Sequence, residues 1–339
     1  MSSKQDGLPV SQNPIRGHRP VTAFTGLAIC VVFVTLASIT SAAEPPVTAI
    51  AFAPDGQSVV VGSQAGVAVY SWPDLKRQKM LDTSLVNLHD LAFSPNGETL
   101  AVAGGIPSEE GLVELFAWPS GRSLHVCKGH EDSVLAVAWK SDSMFATASL
   151  DHDVVIWDAK THRVVQRLKG HSRGVSALCF LADQVLLVSG SLDQNLRVWN
   201  TDSAELLRTM NNHTREVHQL ALRPVITGLP MIASVSGDRT VRLWQPTIGR
   251  MVRFVELSSI PLAVSWLPNG SLAVVAASDG HIRLIDPDTV EIIHDIPAFD
   301  GWAYSLDVHP TDGSLLVGGR YGQLKRILLP PRRSPQGQD

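Results

Sequence analysis

Three aspartates each stand six residues ahead of a tryptophan: Asp151 and Trp157 in SLDHDVVIWD, Asp193 and Trp199 in SLDQNLRVWN, and Asp238 and Trp244 in SGDRTVRLWQ. A carboxylate near histidine and serine or threonine invites a hydrolase reading of the Ser-His-Asp kind. That chemistry needs one convergent site, whereas this pair recurs at even intervals along the chain. His89 and His218 occupy matching places in two apolar runs, beside Asp90 and Gln219. Two histidines without a third ligand make a poor metal site. The three cysteines, Cys30, Cys127 and Cys179, have neither metal-ligand spacing nor a haem-attachment pattern, so neither metal nor cofactor is expected. Cys127 and Cys179 read as small core residues.

The elements that must position the aspartates are short strands. From Val47 onward, apolar runs ending in a turn recur as VTAIAFAPDG, LHDLAFSPNG, VLAVAWKSD, VSALCFLAD, VHQLALRP, PLAVSWLPNG and YSLDVHPTDG. Their turn-opening residues, Pro54, Pro95, Ser141, Ala182, Pro224, Pro268 and Pro310, lie 41, 46, 41, 42, 44 and 42 residues apart. A period this close to 40 to 45, with strands and no helical pattern, predicts one four-stranded propeller blade per repeat. The fold class is therefore all-β, a seven-bladed propeller over residues 47–330. Within a repeat, an inner strand, a tight turn, a second strand, an Asp turn, a third strand, a polar turn and an outer strand follow in order.

The repeats resemble the WD-repeat β-propeller family, here of a bacterial, exported type. The residues that carry the likeness are Gly129-His130, Gly170-His171 and Asn212-His213, with Trp157-Asp158, Trp199-Asn200 and Trp244-Gln245 at the other end. The resemblance implies three hydrogen-bonded sets: His130, Thr147, Asp151 and Trp157; His171, Ser189, Asp193 and Trp199; His213, Ser234, Asp238 and Trp244. It makes them structural, one inside each of three blades. The other repeats depart from the pattern. Tyr70 and Phe116 replace the Trp in repeats one and two, repeat six keeps Asp279 but offers Ile285, and repeat seven has Tyr321 and Ile327. Those blades are expected to rely on apolar packing. After QLKRILL come only two prolines and a polar tail, 331–339, read as disordered, so blade seven is expected to have three strands, its edge guarded by Lys325 and Arg326.

Ahead of the repeats, residues 1–20 are polar and basic, and 21–43 carry no charge. The apolar run Leu27 to Ala37 and the small residues of SITSAA suit a signal peptide cleaved near Ala42 or Ala43, while 23 uncharged residues also suffice for a transmembrane helix. Either places the propeller outside the cytoplasmic membrane, in the periplasm or anchored to it. The formal net charge is −4 and Lys and Arg are scattered, which disfavours nucleic acid. The function that follows is a non-enzymatic scaffold binding a protein partner through its loops. Alternatives are a hydrolytic or quinone-dependent propeller enzyme and an intracellular scaffold. Trp302, just before the last inner strand, and Arg173, Arg215, Glu131 and Glu216, which precede inner strands, are the candidate partner contacts. The stretch GIPSEEGL, 105–112, interrupts repeat two and reads as a variable loop tip.

Overall fold

The computed structural model describes residues 44–224 and 227–329. The signal peptide or anchor at 21–43, its hydrophobic helix and the tail 331–339 lie outside the described residues. Among the described residues no helix is long and apolar enough to cross a membrane.

Runs such as Ser58–Ser63, SVVVGS, are rich in β-branched side chains and bounded by turn residues, which favours extended backbone. In the APDG and SPNG turns the glycine is left-handed, as at Gly97 with φ 72°, a conformation a side chain would strain. The described residues form seven antiparallel sheets, each running inner to outer in chain order: 47–81, 90–130, 134–168, 175–210, 217–256, 261–297 and 303–327. Six have four strands. Blade seven has three, Ala303–Val308, Leu315–Gly319 and Leu324–Ile327.

The core lies between blades. Second strands are buried almost throughout, and outer strands such as Arg163–Leu168 are mostly exposed. The third-strand aromatic of one blade packs under the end of the preceding outer strand. A Cβ on Gly129 would lie 2.6 Å from the Trp157 ring, closer than a side chain can come, and one on Gly170 3.1 Å from the Trp199 ring, a tight contact. At the closing seam Val47, Ile50, Phe52, Val59 and Val61 of blade one pack with Leu316 of blade seven.

Two expectations change. Residues 105–112 are not a loop tip. The second and third strands of blade two, Thr99–Ile106 and Glu110–Ala117, pair as far as Ile106 with Glu110, so most of the insertion lengthens a hairpin. Its turn is held by the Ser108 N–H donating to Asp132 Oδ1 at 2.8 Å. Lys325 and Arg326 do not guard the edge of blade seven. Lys325 Nζ donates to the Pro297 and Ala298 carbonyls of blade six, and the Arg326 guanidinium lies 5.0 Å from the Trp72 ring of blade one.

Candidate functional site at the channel mouth

The inner strands surround a central channel, and most carry a bulge at their second residue. The extra residue has no cross-strand partner and faces the axis: Thr48, Leu135, Ser176, His218, Leu262 and Tyr304. Together with His89 they line a cavity of about 160 Å³. Burial lowers the pKa of both His89 and His218, so both are neutral at pH 7. His218 Nε2 has no hydrogen-bond partner and lies 4.0 Å from Glu216 Oε1. Among the described residues no three His, Cys, Asp or Glu side chains converge on a metal-sized point.

The rim residues fall into two groups. Trp302 is 45% exposed, its ring centroid 5.4 Å from that of Tyr304 in the channel wall. Arg173, Arg215 and Glu131 are exposed on the corresponding loops ahead of the inner strands of blades four, five and three. Glu216 is half-buried, its carboxylate close over Gly237 and 4.0 Å from His218 Nε2.

The Asp–Trp pairs sit inside blades three, four and five. Trp157 Nε1 donates to Thr147 Oγ1 at 2.7 Å, that hydroxyl meets His130 Nε2 at 2.7 Å, and His130 Nδ1 meets Asp151 Oδ2 at 2.8 Å. Blade four repeats the chain through Trp199, Ser189, His171 and Asp193, at 2.8, 2.8 and 2.9 Å. Blade five repeats it through Trp244, Ser234, His213 and Asp238, at 2.8, 2.7 and 2.8 Å. Nδ1 faces a carboxylate oxygen and so carries a proton, and in the neutral tautomer Nε2 accepts from the hydroxyl, which takes the indole N–H on a lone pair. Burial would raise the Asp193 and Asp238 carboxyls, but the histidine and backbone N–H groups outweigh it and hold both well below the usual range. Burial lowers His171 and His213 against the pull of those carboxylates. Each set joins a histidine to an aspartate and a hydroxyl to an indole, so that the polar side-chain atoms along it have partners.

Sequence reasoning missed several polar groups. Blade six does not rely on apolar packing alone. Arg283, 4% exposed, pairs with Asp279 at 2.6 Å and with Asp295 at 3.3 Å. Blade two buries Glu114, which accepts from Thr83 and Ser123 at 2.7 and 2.5 Å. Three inner-strand side chains bridge blades by accepting a backbone N–H. Asp90 accepts from Val137 at 2.9 Å, Gln219 from Val264 at 2.6 Å, and Asp307 from Phe52 at 2.9 Å across the closing seam. Burial raises Asp90 to about 7 and Asp307 to about 6 despite those bonds. The available signal was a polar residue where the other inner strands hold a small or apolar one. Cys127 and Cys179 are buried free thiols, each pushed by burial to about 12, and unreactive at neutral pH.

The WD domain, G-beta repeat profile matches residues 121–158, 162–200, 204–245 and 257–286. This chain is a WD-repeat protein. Each matched segment that reaches the Asp–Trp pairs begins on one blade's outer strand and ends on the next blade's third strand, so the repeat is offset from the blade by one strand. Over 209 residues the WD-repeat chain is 26% identical to WD repeat-containing protein VIP3 of Arabidopsis thaliana, covering 56% of this chain and 64% of that protein. It is 23% identical over 301 residues to the intraflagellar transport protein 122 homolog of Xenopus tropicalis, covering 76% of this chain and 24% of the relative. It is 30% identical over 180 residues to THO complex subunit 3 of Arabidopsis thaliana, covering 51% and 43%. It thus spans less than two thirds of the length of each of these relatives.

Proposed function

We propose that the propeller is a non-enzymatic platform that binds a protein partner on the loop face around Trp302, and that it works beyond the cytoplasmic membrane. The observation that carries the first part is an aromatic side chain left nearly half exposed at the rim of a channel, beside Tyr304, with Arg173, Arg215 and Glu131 exposed on the loops ahead of other inner strands. Rigid aromatics ringed by polar groups are the usual anchors of protein interfaces. The tetrads speak against catalysis, because their groups saturate one another and lie in three separate blades. THO complex subunit 3 is by its name a component of a complex, which fits a platform role. Support for export comes from the uncharged residues 21–43 behind a basic N-terminus.

The test is Trp302→Ala in a tagged full-length chain, isolated with its partner under native conditions and scored by partner affinity. The variant is expected to bind the recovered partner at least about tenfold more weakly, with an unchanged melting temperature. Undiminished binding would remove Trp302 and its rim from the interface.

A further inference from the structure

The third-strand key residue reports how well each blade is covered by the one before it. Phe116, Trp157, Trp199, Trp244, Ile285 and Ile327 are all buried, at 5% exposure or less. Tyr70, the blade-one counterpart, is only half-buried. The cause is the missing outer strand of blade seven: where Gly129 and Gly170 end over Trp157 and Trp199, no described strand ends over Tyr70. A groove of about 110 Å³ takes its place, with Tyr70, Met80 and Arg77 of blade one on one side and Leu324 of blade seven on the other. Met80 is 46% exposed. Beside the groove runs Leu324–Ile327, which among the described residues is paired on one side only, its other N–H and C=O groups facing no described strand.

We propose that this edge and groove accept one extended strand of a protein partner, as a second interface on the side of the disc, independent of the loop face. The occupant pairs antiparallel to Leu324–Ile327, as third and outer strands do in the other blades, and spans the five to nine residues of the outer strands present. Its alternate side chains are apolar, to cover Tyr70 and Met80. Its flanks are acidic, because the surroundings are basic: Arg77 lines the groove, Arg320 stands two residues before Gly322 of its lining, and Lys325 and Arg326 lie on the edge strand, none in an ion pair among the described residues, against a single lining acid, Glu44. The same excess of positive charge disfavours pairing of two copies of this chain edge to edge, which would juxtapose like charges.

The probe is a seven-residue peptide, acetylated and amidated, in which valine and threonine alternate between two terminal glutamates. Amide exchange of the full-length chain is followed by mass spectrometry with and without it, and affinity is measured by fluorescence anisotropy. Without peptide, 324–327 should exchange faster than 154–157, which have a strand on both sides. Saturating peptide should slow 324–327 at least about tenfold and leave 154–157 unchanged. Arg77→Glu with Arg320→Glu should weaken binding at least about fivefold, and a peptide ending in lysines should recover it. The exchange of 154–157 reports whether the variant is folded. Trp302→Ala should bind the peptide as the parent does, which separates failure here from failure of the loop-face interface. Unslowed exchange at saturating peptide, or affinity indifferent to charge reversal, would overturn the proposal. So would slow exchange of 324–327 before any peptide is added, since residues ahead of 44 would then fill the edge.

Discussion

A carboxylate in the wall between two blades is stable only with donors around it, and the blades meet that need in different ways. Asp193 has a histidine and the backbone N–H groups of Ser172 and Asn195, whereas Asp279 has the Arg283 guanidinium. Asp193→Ala should cost roughly 1–3 kcal/mol in urea denaturation, because His171 and two amides lose their acceptor. From the sequence, Asp279 looked expendable, lacking a His or Trp to complete a set. With a buried arginine depending on it, Asp279→Ala should cost about as much as Asp193→Ala, softened by the remaining contact to Asp295. A loss below about 0.5 kcal/mol at Asp279 would show that Arg283 is well solvated without it. The three tetrads were legible because their residue types repeat at fixed spacing. An arginine four residues after the aspartate recurs at Arg197, Arg242 and Arg283, a period that the missing His and Trp of blade six obscured, whereas the Glu114 cluster occurs once and leaves no period to read.

At the scale of strands, period and alternation defined all seven blades and the missing fourth strand of the last. They did not reveal how inner strands are pinned to one another. The bridges through Asp90, Gln219 and Asp307 join residues 45 or more positions apart, and nothing local in the chain foretells such a contact. Nor did the composition of GIPSEEGL distinguish a loop from a longer hairpin, since cross-strand pairing decides that. The closing bridge has a pH dependence of definite sign. Asp307 has a folded-state pKa of about 6 against an ordinary value of 3.8, so the folded chain holds the proton more tightly than the unfolded one. Its contribution to stability is therefore undiminished below about pH 4, falls between pH 4 and 6, and stays reduced above. Asp307→Asn cannot ionise. Relative to the parent it should lose about 1 kcal/mol at pH 4, where one of two acceptor oxygens is gone, and recover on the order of 1–2 kcal/mol by pH 8. Thermal melts across that range check it. A parent-to-variant difference independent of pH would mean that Asp307 titrates normally.

For the whole molecule, the sequence spoke most plainly about architecture and least about surroundings, because the ring is built from repeats and the partner is not. The leader speaks to location. With residues 1–20 basic and 21–43 uncharged, a reporter that works only outside the cytoplasm should be active when fused after Pro46 and inactive when 21–43 are deleted. Activity in neither fusion, with the full-length chain in the soluble cytoplasmic fraction, would place the propeller inside the cell. The one-strand offset between repeat and blade also bears on how such a ring changes size. A segment copied or lost at the repeat boundaries, near residues 162 and 200, starts on an outer strand and stops on a third strand. Duplication or deletion there adds or removes one whole blade's worth of chain while every junction still joins a third strand to the outer strand that pairs with it. Growth by such steps leaves the hydrogen-bonded edges intact everywhere except at the terminal seam. The seam between the first and last blades, where no described third strand meets an outer one, is thus carried along unchanged however many units lie between.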